Sequence, residues 1–254
     1  GKRVFIDVVD AFEGGWGWLA IEAIEISNRQ EDPNIPPMVA HWPLDYGVGG
    51  LVHDIVGGNN GIIVGLDSSA WISGRLGGAV RFDNTAGHHI EVPDADVLDF
   101  GDVDFSISLM VRNLTPWPDG EEDMWIVKGT SGAPGTGNRY ELFIDSTSDI
   151  RFSIDNDAIG KTVVEVPSTS VYTGEWVHVV AVRDAVNDLL SLYADGVLLG
   201  TQTDNSGDIS SGEPMWIGES TDETNTAMAG DIDDVRIFDK ALTEEEIAAI
   251  ASLY

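Results

Sequence analysis

The stretch that decides the fold is GDIDDVRIFDKALTEEEIAAIASLY, residues Gly230–Tyr254. Its first half is a compact apolar strand whose start is crowded with carboxylates: Asp231, Asp233 and Asp234. In its second half, Thr243 can cap the first turn of a helix and Glu246 can reach back to the cap backbone. We expect Leu242 to pack on Ile247 across that helix start. The stretch therefore predicts a strand followed by a short C-terminal helix.

Upstream of this stretch, short apolar runs alternate with clusters of Gly, Asn, Asp, Pro and Ser. Phe105–Arg112 alternates strictly between apolar and polar residues, which is typical of a half-buried strand. Trp176–Arg183 is almost continuously apolar, so we expect both of its faces to be covered. Asp195-Gly196 is a strong two-residue hairpin signal. Together these patterns predict an all-β fold, an antiparallel two-sheet jelly-roll sandwich with a short C-terminal helix.

Three segments are predicted along the chain. Residues 1–30 suggest a β-hairpin around a glycine-rich turn, which we interpret as the remnant of a preceding module because a lone hairpin is marginal in water. Residues 31–39 contain three prolines and suggest an extended linker. Residues 40–254 form the main domain. The absence of a visible signal peptide indicates a piece of a longer protein, with any targeting segment upstream.

Composition excludes several functions. The formal net charge is −31, from 44 acidic and 13 basic residues, and this argues against nucleic acid and anionic membranes. There are no cysteines, so disulfides, thiolate metal sites and cysteine nucleophiles are ruled out. No apolar run approaches the ~20 residues that a membrane span needs, so membrane insertion is not expected.

The main domain carries an ordered set of motifs. These are HWPLD (41–45), HDIVGGNNG (53–61), GRLGGAVRFD (74–83), FSISLMVR (105–112), EWVHVVAVRD (175–184), LYADGVLLG (192–200), MWIGE (215–219) and GDIDDVRIFDKALTEEEI (230–247). In this order they resemble the LamG-like jelly-roll domains of the concanavalin A-like lectin/glucanase superfamily. Met110, where the family usually has Trp, and the insert Thr115–Asp123 depart from the pattern and leave the ligand surface open.

The resemblance implies a calcium ion at the edge of the sandwich. It places Asp233 of the final strand opposite Asp54 and Asn60, with backbone carbonyls of the Gly57–Gly61 loop as further ligands. Calcium prefers 6–8 oxygen ligands from carboxylates, amides and carbonyls, about 2.3–2.6 Å away. The alternative is that Asp54 and Asn60 form turns and Asp233 caps a strand end. Asp231 and Asp234 are the other candidates for the strand ligand.

Catalysis is not expected. Related hydrolases place two carboxylates along one strand as Glu-x-Asp-x-x-Glu, and this chain has no such motif on a predicted strand. Gly-x-Ser-x-Gly, the turn that carries a serine nucleophile, is also absent. We therefore predict that the chain is not an enzyme.

Carbohydrate binding is the favoured function. Aromatic rings stack on sugars, and planar polar groups bind their hydroxyls. Trp42, Trp176 and Trp216 lie in family motifs and are expected in the core. The predicted ligand-binding residues are Trp117, Trp125, Arg139, Tyr140, Arg112 and Arg151. The arginines would suit an acidic or sulfated sugar, but they would equally serve to balance nearby negative charges.

From these observations we expect a noncatalytic, lectin-like module that binds a polysaccharide or oligosaccharide and is stabilised by calcium. Such a module, secreted or at the cell surface and part of a larger bacterial protein, would be tethered to a catalytic domain. It would thereby raise the effective concentration of that domain on its substrate. The alternative is an adhesion or spacer domain that binds a protein or nothing.

Overall fold

The structure is a computed structural model that describes residues 34–254, apart from residues 46, 115–120, 132–136, 148 and 157–158. The predicted hairpin of residues 1–30 lies outside the described residues, as do the first residues of the predicted linker and Trp117. The proposed domain division therefore stays a prediction.

Sixteen strands and one α-helix make up the regular structure of the described residues. The strands are β1 (Ala40–Trp42), β2 (Leu51–Val52), β3 (Gly61–Val64), β4 (Trp71–Ser73), β5 (Gly78–Asp83), β6 (His89–Val92), β7 (Phe105–Asn113), β8 (Asp123–Gly129), β9 (Asn138–Ile144), β10 (Asp149–Asn156), β11 (Gly160–Pro167), β12 (Val177–Asp184), β13 (Leu189–Ala194), β14 (Val197–Thr203), β15 (Met215–Ile217) and β16 (Ala229–Phe238). The helix α1 spans Glu244–Ala251, and short 3₁₀ turns lie at Ser68–Ala70, Asp96–Leu98 and Ser168–Ser170.

The strands form two antiparallel sheets of eight. Sheet 1 has the order β14-β13-β12-β7-β16-β5-β4, and β1 pairs with β16 beside β5. Sheet 2 has the order β11-β10-β9-β8-β15-β6-β3-β2. The predicted all-β, two-sheet antiparallel sandwich with a C-terminal helix is confirmed.

The main core lies between the two sheets and is built from alternate residues of each strand. Along β7, Phe105, Ile107, Leu109 and Val111 all belong to this core, as their alternation predicts. A second apolar cluster lies on the outer face of sheet 1, where Val180 and Val182 of β12 pack against α1. Both faces of β12 are therefore covered, which explains its continuous apolar sequence.

Helix α1 starts as its sequence predicts. The Thr243 side chain accepts from the backbone N–H of Glu246, and the Glu246 carboxylate accepts from the backbone N–H of Thr243. Leu242 and Ile247 both belong to the cluster beneath the helix. This reciprocal cap closes the outer face of sheet 1.

A bulge in β16 sets the direction of its carboxylates. The register with β7 shifts between Asp233 and Arg236, and Asp234 adopts a left-handed φ of 52°. An extra residue in one strand lets the alternation restart. Ile232 and Val235, three residues apart, can therefore both join the main core.

The sequence patterns do not predict three of the described strands: β2, β4 and β11. Each of them pairs with only one neighbour and lies at the end of a sheet order. Strand β11 is partly exposed, so its sequence lacks a clear buried face. Its run of β-branched residues at 162–164 is a signal that could have revealed it.

Candidate functional site

The outer face of sheet 2 carries two of the predicted ligand residues, Arg139 on β9 and Arg151 on β10. The strand register places Arg151 opposite Phe143, four residues along β9 from Arg139. Strand geometry separates Arg139 from Arg151 by roughly 13 Å along the strand direction. Glu141 lies between them along the strand. Arg139 and Arg151 therefore share a face without forming one contact cluster.

Each of these arginines is held by carboxylates. The Nη1 atom of Arg139 lies 3.0 Å from Glu223 Oε1, and its Nε atom lies 3.2 Å from Glu141 Oε2. Arg151 Nη2 lies 2.7 Å from both Asp145 Oδ2 and Glu165 Oε2. Because the positive charge is already matched locally, these arginines favour the charge-balance interpretation over an acidic or sulfated sugar.

Glu141 is fully buried on this outer face. The sequence patterns do not identify it as a functional residue. Its Oε1 atom accepts hydrogen bonds from the Ser153 hydroxyl and from Lys161 Nζ, the latter at 2.6 Å. No sequence motif marks Glu141, because these contacts come from three adjacent strands. It is an anchor for the polar groups of sheet 2.

A cavity of about 550 Å³ opens where β8 begins and β9 ends. The segment between β15 and β16 forms one wall, since the backbone N–H groups of Glu122 and Met124 donate to the carbonyls of Asn225 and Thr226. Hydroxyl and amide groups line the cavity, together with four carboxylates: Glu121, Glu122, Asp222 and Glu223. We call this cavity the sheet-2 cavity.

Electrostatics disfavour an anionic ligand in the sheet-2 cavity. Burial raises the pKa of Glu122, and the nearby carboxylates Glu223 and Glu141 raise it further. Among the described residues, Arg139 is the basic residue that forms an ion pair with the cavity wall, and its partner there is Glu223. Carboxylates, hydroxyls and amides can instead accept from and donate to the hydroxyl groups of a neutral sugar.

The two predicted aromatic contacts that the structure describes are core residues. Trp125 is completely buried in the main core, because β8 has a bulge between Met124 and Ile126 that turns it inward. Tyr140 is 2% exposed, and its hydroxyl donates to the Leu98 carbonyl. A ring covered on all sides offers no face to a sugar, so we correct the assignment of these two residues as ligand contacts.

Arg112, the remaining predicted arginine, lies on the other sheet. It is part of β7 in sheet 1 and forms an ion pair with Asp231 of β16. The structure therefore separates Arg112 from Arg139 and Arg151, which belong to sheet 2. These three residues cannot form one binding surface.

The predicted metal ligand Asp54 is saturated by N–H donors. Its Oδ1 atom accepts from the backbone of His41, Val56 and Gly57, and its Oδ2 atom accepts twice from Asn59. Burial alone would raise the pKa of Asp54, but the backbone donors, His41 and Asn59 foremost, lower it. A carboxylate offers about four lone-pair sites, so no oxygen remains for a metal.

Asn60 is also used locally, because its Oδ1 atom accepts from the backbone N–H of Asp54 at 2.9 Å. Asp54 and Asn60 thus shape their loop, as the alternative interpretation of the sequence held, and they do not fit a calcium site. Within the described ranges, no group of three or more His, Cys, Asp or Glu side chains converges, so a calcium ion would need backbone carbonyls for most of its ligands.

Asp233 has the chemistry of a cation ligand. Its Oδ2 atom accepts from the backbone N–H groups of Arg75 and Leu76, at 2.7 and 2.9 Å. A Cβ at Gly74 would lie 2.5 Å from Oδ2, so this approach needs a glycine. The Oδ1 atom is buried and has no hydrogen-bond partner in the described part of the chain. Burial raises the pKa of Asp233 to about 7.

Comparison with known proteins establishes the family. A family model of laminin G type, described as the concanavalin A-like lectin/glucanases superfamily, matches residues 83–248, more than half of the chain. The chain belongs to this family, as its motifs predict. A search of curated protein sequences finds no match.

Solved structures share the fold at low sequence identity. The binding domain of Paraclostridial Mosquitocidal Protein 1 is 15% identical with a TM-score of 0.69, over 85% of this chain and 52% of that one. The botulinum neurotoxin serotype G binding domain is 16% identical with a TM-score of 0.67, over 85% and 51%. This chain thus spans about half the length of these toxin domains.

A third similar structure has nearly the same extent as this chain. Domain 4 of AbnA, a GH43 extracellular arabinanase from Geobacillus stearothermophilus, was solved in complex with arabinotriose. It is 18% identical with a TM-score of 0.60, and the match covers 84% of this chain and 98% of that domain.

None of the described helices is long and apolar enough to cross a membrane.

Proposed function

We propose that this chain is a noncatalytic carbohydrate-binding module that holds a neutral oligosaccharide or polysaccharide in the sheet-2 cavity. The observation that carries the proposal is the lining of that cavity, in which carboxylates stand beside hydroxyl and amide groups. The arabinotriose complex of the similar arabinanase domain supports a sugar ligand for this fold. The two similar toxin structures are binding domains, which supports a noncatalytic role.

The module would be secreted or surface-exposed and would work beside a catalytic domain on the same longer chain. The extracellular origin of the similar arabinanase supports this setting. Tethering keeps a neighbouring domain close to an insoluble substrate and raises its effective concentration without new contacts.

Calcium remains part of the proposal, with Asp233 as its side-chain ligand and without Asp54 and Asn60. The support is the buried Oδ1 atom of Asp233, which has no hydrogen-bond partner in the described residues. A bound divalent cation would neutralise that carboxylate and so stabilise β16.

The test of sugar binding is calorimetric titration with arabinotriose, xylotriose and cellotriose. We expect a double variant, Asp222→Asn with Glu223→Gln, to weaken binding about tenfold, since two hydroxyl acceptors become weaker. Glu213→Gln, at an exposed carboxylate outside the cavity, is the matched control. If neither wild type nor control binds any of the sugars, nor arabinan in a retardation gel, the proposal fails.

A protein-binding function is the second candidate. Exposed apolar side chains lie at the end of sheet 2 around β2 and β3: Val48, Leu51, Ile55, Val56 and Ile62. Contiguous exposed apolar surface is typical of interaction sites. Failure of every saccharide to bind would favour this candidate.

A further inference from the structure

A row of four side chains crosses the outer face of sheet 1. Asp231 of β16 pairs in register with Arg112 of β7 on one side and with Arg81 of β5 on the other. Trp176 comes directly before Val177, which pairs with Val111, so it lies beside Arg112. Three strand spacings separate Trp176 from Arg81, or roughly 14 Å. We call these residues the sheet-1 row.

One buried carboxylate fixes both guanidinium groups of the row. Asp231 Oδ1 accepts from Arg81 Nε at 2.7 Å, and its Oδ2 accepts from Arg112 Nη2 at 2.5 Å. Asp231 itself is not exposed, whereas the side chains of Arg81 and Arg112 are 43% and 26% exposed. The two arginines therefore present N–H donors to solvent in a fixed orientation, at little further entropic cost on binding.

Trp176 supplies an aromatic surface at one end of the row. The Arg112 Cζ atom lies 4.7 Å from the centroid of its ring, and the residue is half-buried rather than in the core as its motif suggested. An exposed part of an indole fixed by a guanidinium is a surface on which a sugar ring can stack.

A cavity of about 180 Å³ lies at the other end of the row, where Arg81 forms part of its wall. The remaining polar lining comes from the loop after β3, the end of β5 and the turn after it: Asp67, Ser69, Asp83 and His88. His88 Nδ1 lies 2.8 Å from Asp83 Oδ1, which fixes the ring. The mixture of acceptors and donors suits a ring that carries hydroxyl groups, and the volume suits one ring rather than a chain.

We infer that the sheet-1 row and this cavity form a second carbohydrate site, separate from the sheet-2 cavity, that takes a neutral oligosaccharide. The terminal ring occupies the cavity, the next unit lies over Arg81 and Arg112, and Trp176 stacks on a further unit. The carboxylates of Asp67 and Asp83 would repel a negatively charged ring. The inference rests on the proposed sugar-binding function but uses different residues.

The experiment isolates this site in the Asp222→Asn, Glu223→Gln background, in which the sheet-2 cavity is weakened. Calorimetric titration uses arabinotriose, xylotriose and cellotriose as neutral probes and trigalacturonate as the anionic one. Two further variants are added singly. Ser69→Tyr fills the cavity from an exposed position, and Trp176→Ala removes the aromatic surface. We expect each to weaken the remaining site about tenfold, Trp176→Ala because one stacking contact is lost and Ser69→Tyr because the terminal ring is excluded from the cavity.

Ser210→Tyr is the matched control, because Ser210 is exposed and donates to Asp208 through its backbone as Ser69 does to Asp67. It should leave binding unchanged. Wild type should bind two trisaccharides per chain. One site per chain that is insensitive to Ser69→Tyr and Trp176→Ala overturns this inference and leaves the sheet-2 proposal standing. Tighter binding of trigalacturonate overturns the ligand class, and no binding to wild type overturns both proposals.

Discussion

The Nε2 atom of His41 lies 2.5 Å from Oδ1 of Asp234, which joins the first strand of sheet 1 to the last. Arg236 adds a contact of 2.7 Å from its Nη2 to Oδ2, and the Tyr254 hydroxyl donates to Oδ2 at 2.8 Å. Burial alone would raise the pKa of Asp234, but the contacts with His41 and Arg236 lower it to about 2. The Asp234 carboxylate thus ties β1, β16 and Tyr254 together.

Replacing Asp234 should therefore destabilise the domain. Asp234→Asn tolerates the left-handed backbone of this position but removes the charge that Arg236 faces. Breaking a buried ion pair from one side costs roughly 3–5 kcal/mol of unfolding free energy, measured by urea denaturation. Asp239→Asn, at the exposed carboxylate that follows β16, is the control and should change it by less than about 0.5 kcal/mol. Equal effects of both variants would contradict the role of Asp234.

Calcium should stabilise the wild-type domain through Asp233. A ligand that binds only the native state adds about 2.7 kcal/mol at a concentration of 100 Kd, so the melting temperature should rise with calcium and fall with a chelator. Asp233→Asn keeps an acceptor for the backbone N–H groups of Arg75 and Leu76 but loses the negative charge. The melting temperature of this variant should therefore not change with calcium. Asp239→Asn should respond as wild type does. A wild-type melting temperature that is the same in calcium and in chelator would remove calcium from the proposal.

His178 should lower the stability of the folded domain in mild acid, while the raised pKa of Asp233 acts in the opposite direction. This ring is buried with Nε2 2.8 Å from Ser108 Oγ, and burial, with a smaller effect of Arg236, lowers its pKa from 6.5 to about 4. Above pH 6.5 the ring is neutral in both states. As the pH falls from 6.5 to 4, the unfolded state binds a proton that the native state excludes, so unfolding becomes easier by roughly 3 kcal/mol.

Urea denaturation at several pH values between 7 and 4 measures this effect. His178→Gln can keep the hydrogen bond to Ser108 but cannot titrate. Between pH 6.5 and 4 its unfolding free energy should therefore rise relative to that of wild type by about that amount. His88→Gln, at a half-buried histidine outside the core, should leave the pH dependence of the unfolding free energy as in wild type. If the two variants show the same pH profile, His178 is not the group responsible.

Local patterns predicted the fold well because its strongest signals are local. The alternation of Phe105–Arg112, the continuous apolar run of β12 and the helix cap at Thr243 each depend on neighbours in sequence. The Asp195-Gly196 turn is also confirmed, with positive φ angles of 46° and 78° at its two residues. These features need no knowledge of which strands pair.

The site was harder to predict because it depends on bulges and on the pairing of distant strands. A bulge in β8 turned Trp125 into the core, and only the sheet order shows that Arg112 and Arg139 lie on different sheets. Asp54 looked like a metal ligand, yet its oxygens are used by backbone donors of its own loop and of His41. Such saturation is a matter of geometry that residue type alone does not reveal.

The cap of α1 offers a last prediction, because the helix covers the second apolar cluster. The Thr243 side chain accepts from the backbone of Glu246, and the Glu246 carboxylate is also held by Lys240 Nζ at 2.6 Å. Thr243→Ala should lower the unfolding free energy by about 1 kcal/mol, the usual cost of a lost N-cap. Thr243→Ser keeps the hydroxyl and should retain most of the stability.

Hydrogen exchange adds a local measurement. In Thr243→Ala, the amides of residues 247–251 should exchange faster. The amides of the central strand β7 should lose only as much protection as the lower global stability explains. If Thr243→Ser loses as much stability as Thr243→Ala, the hydroxyl is not what fixes the helix start. The packing of Leu242 on Ile247 would then be the main constraint, and Leu242→Ala would have the larger effect on the same amides.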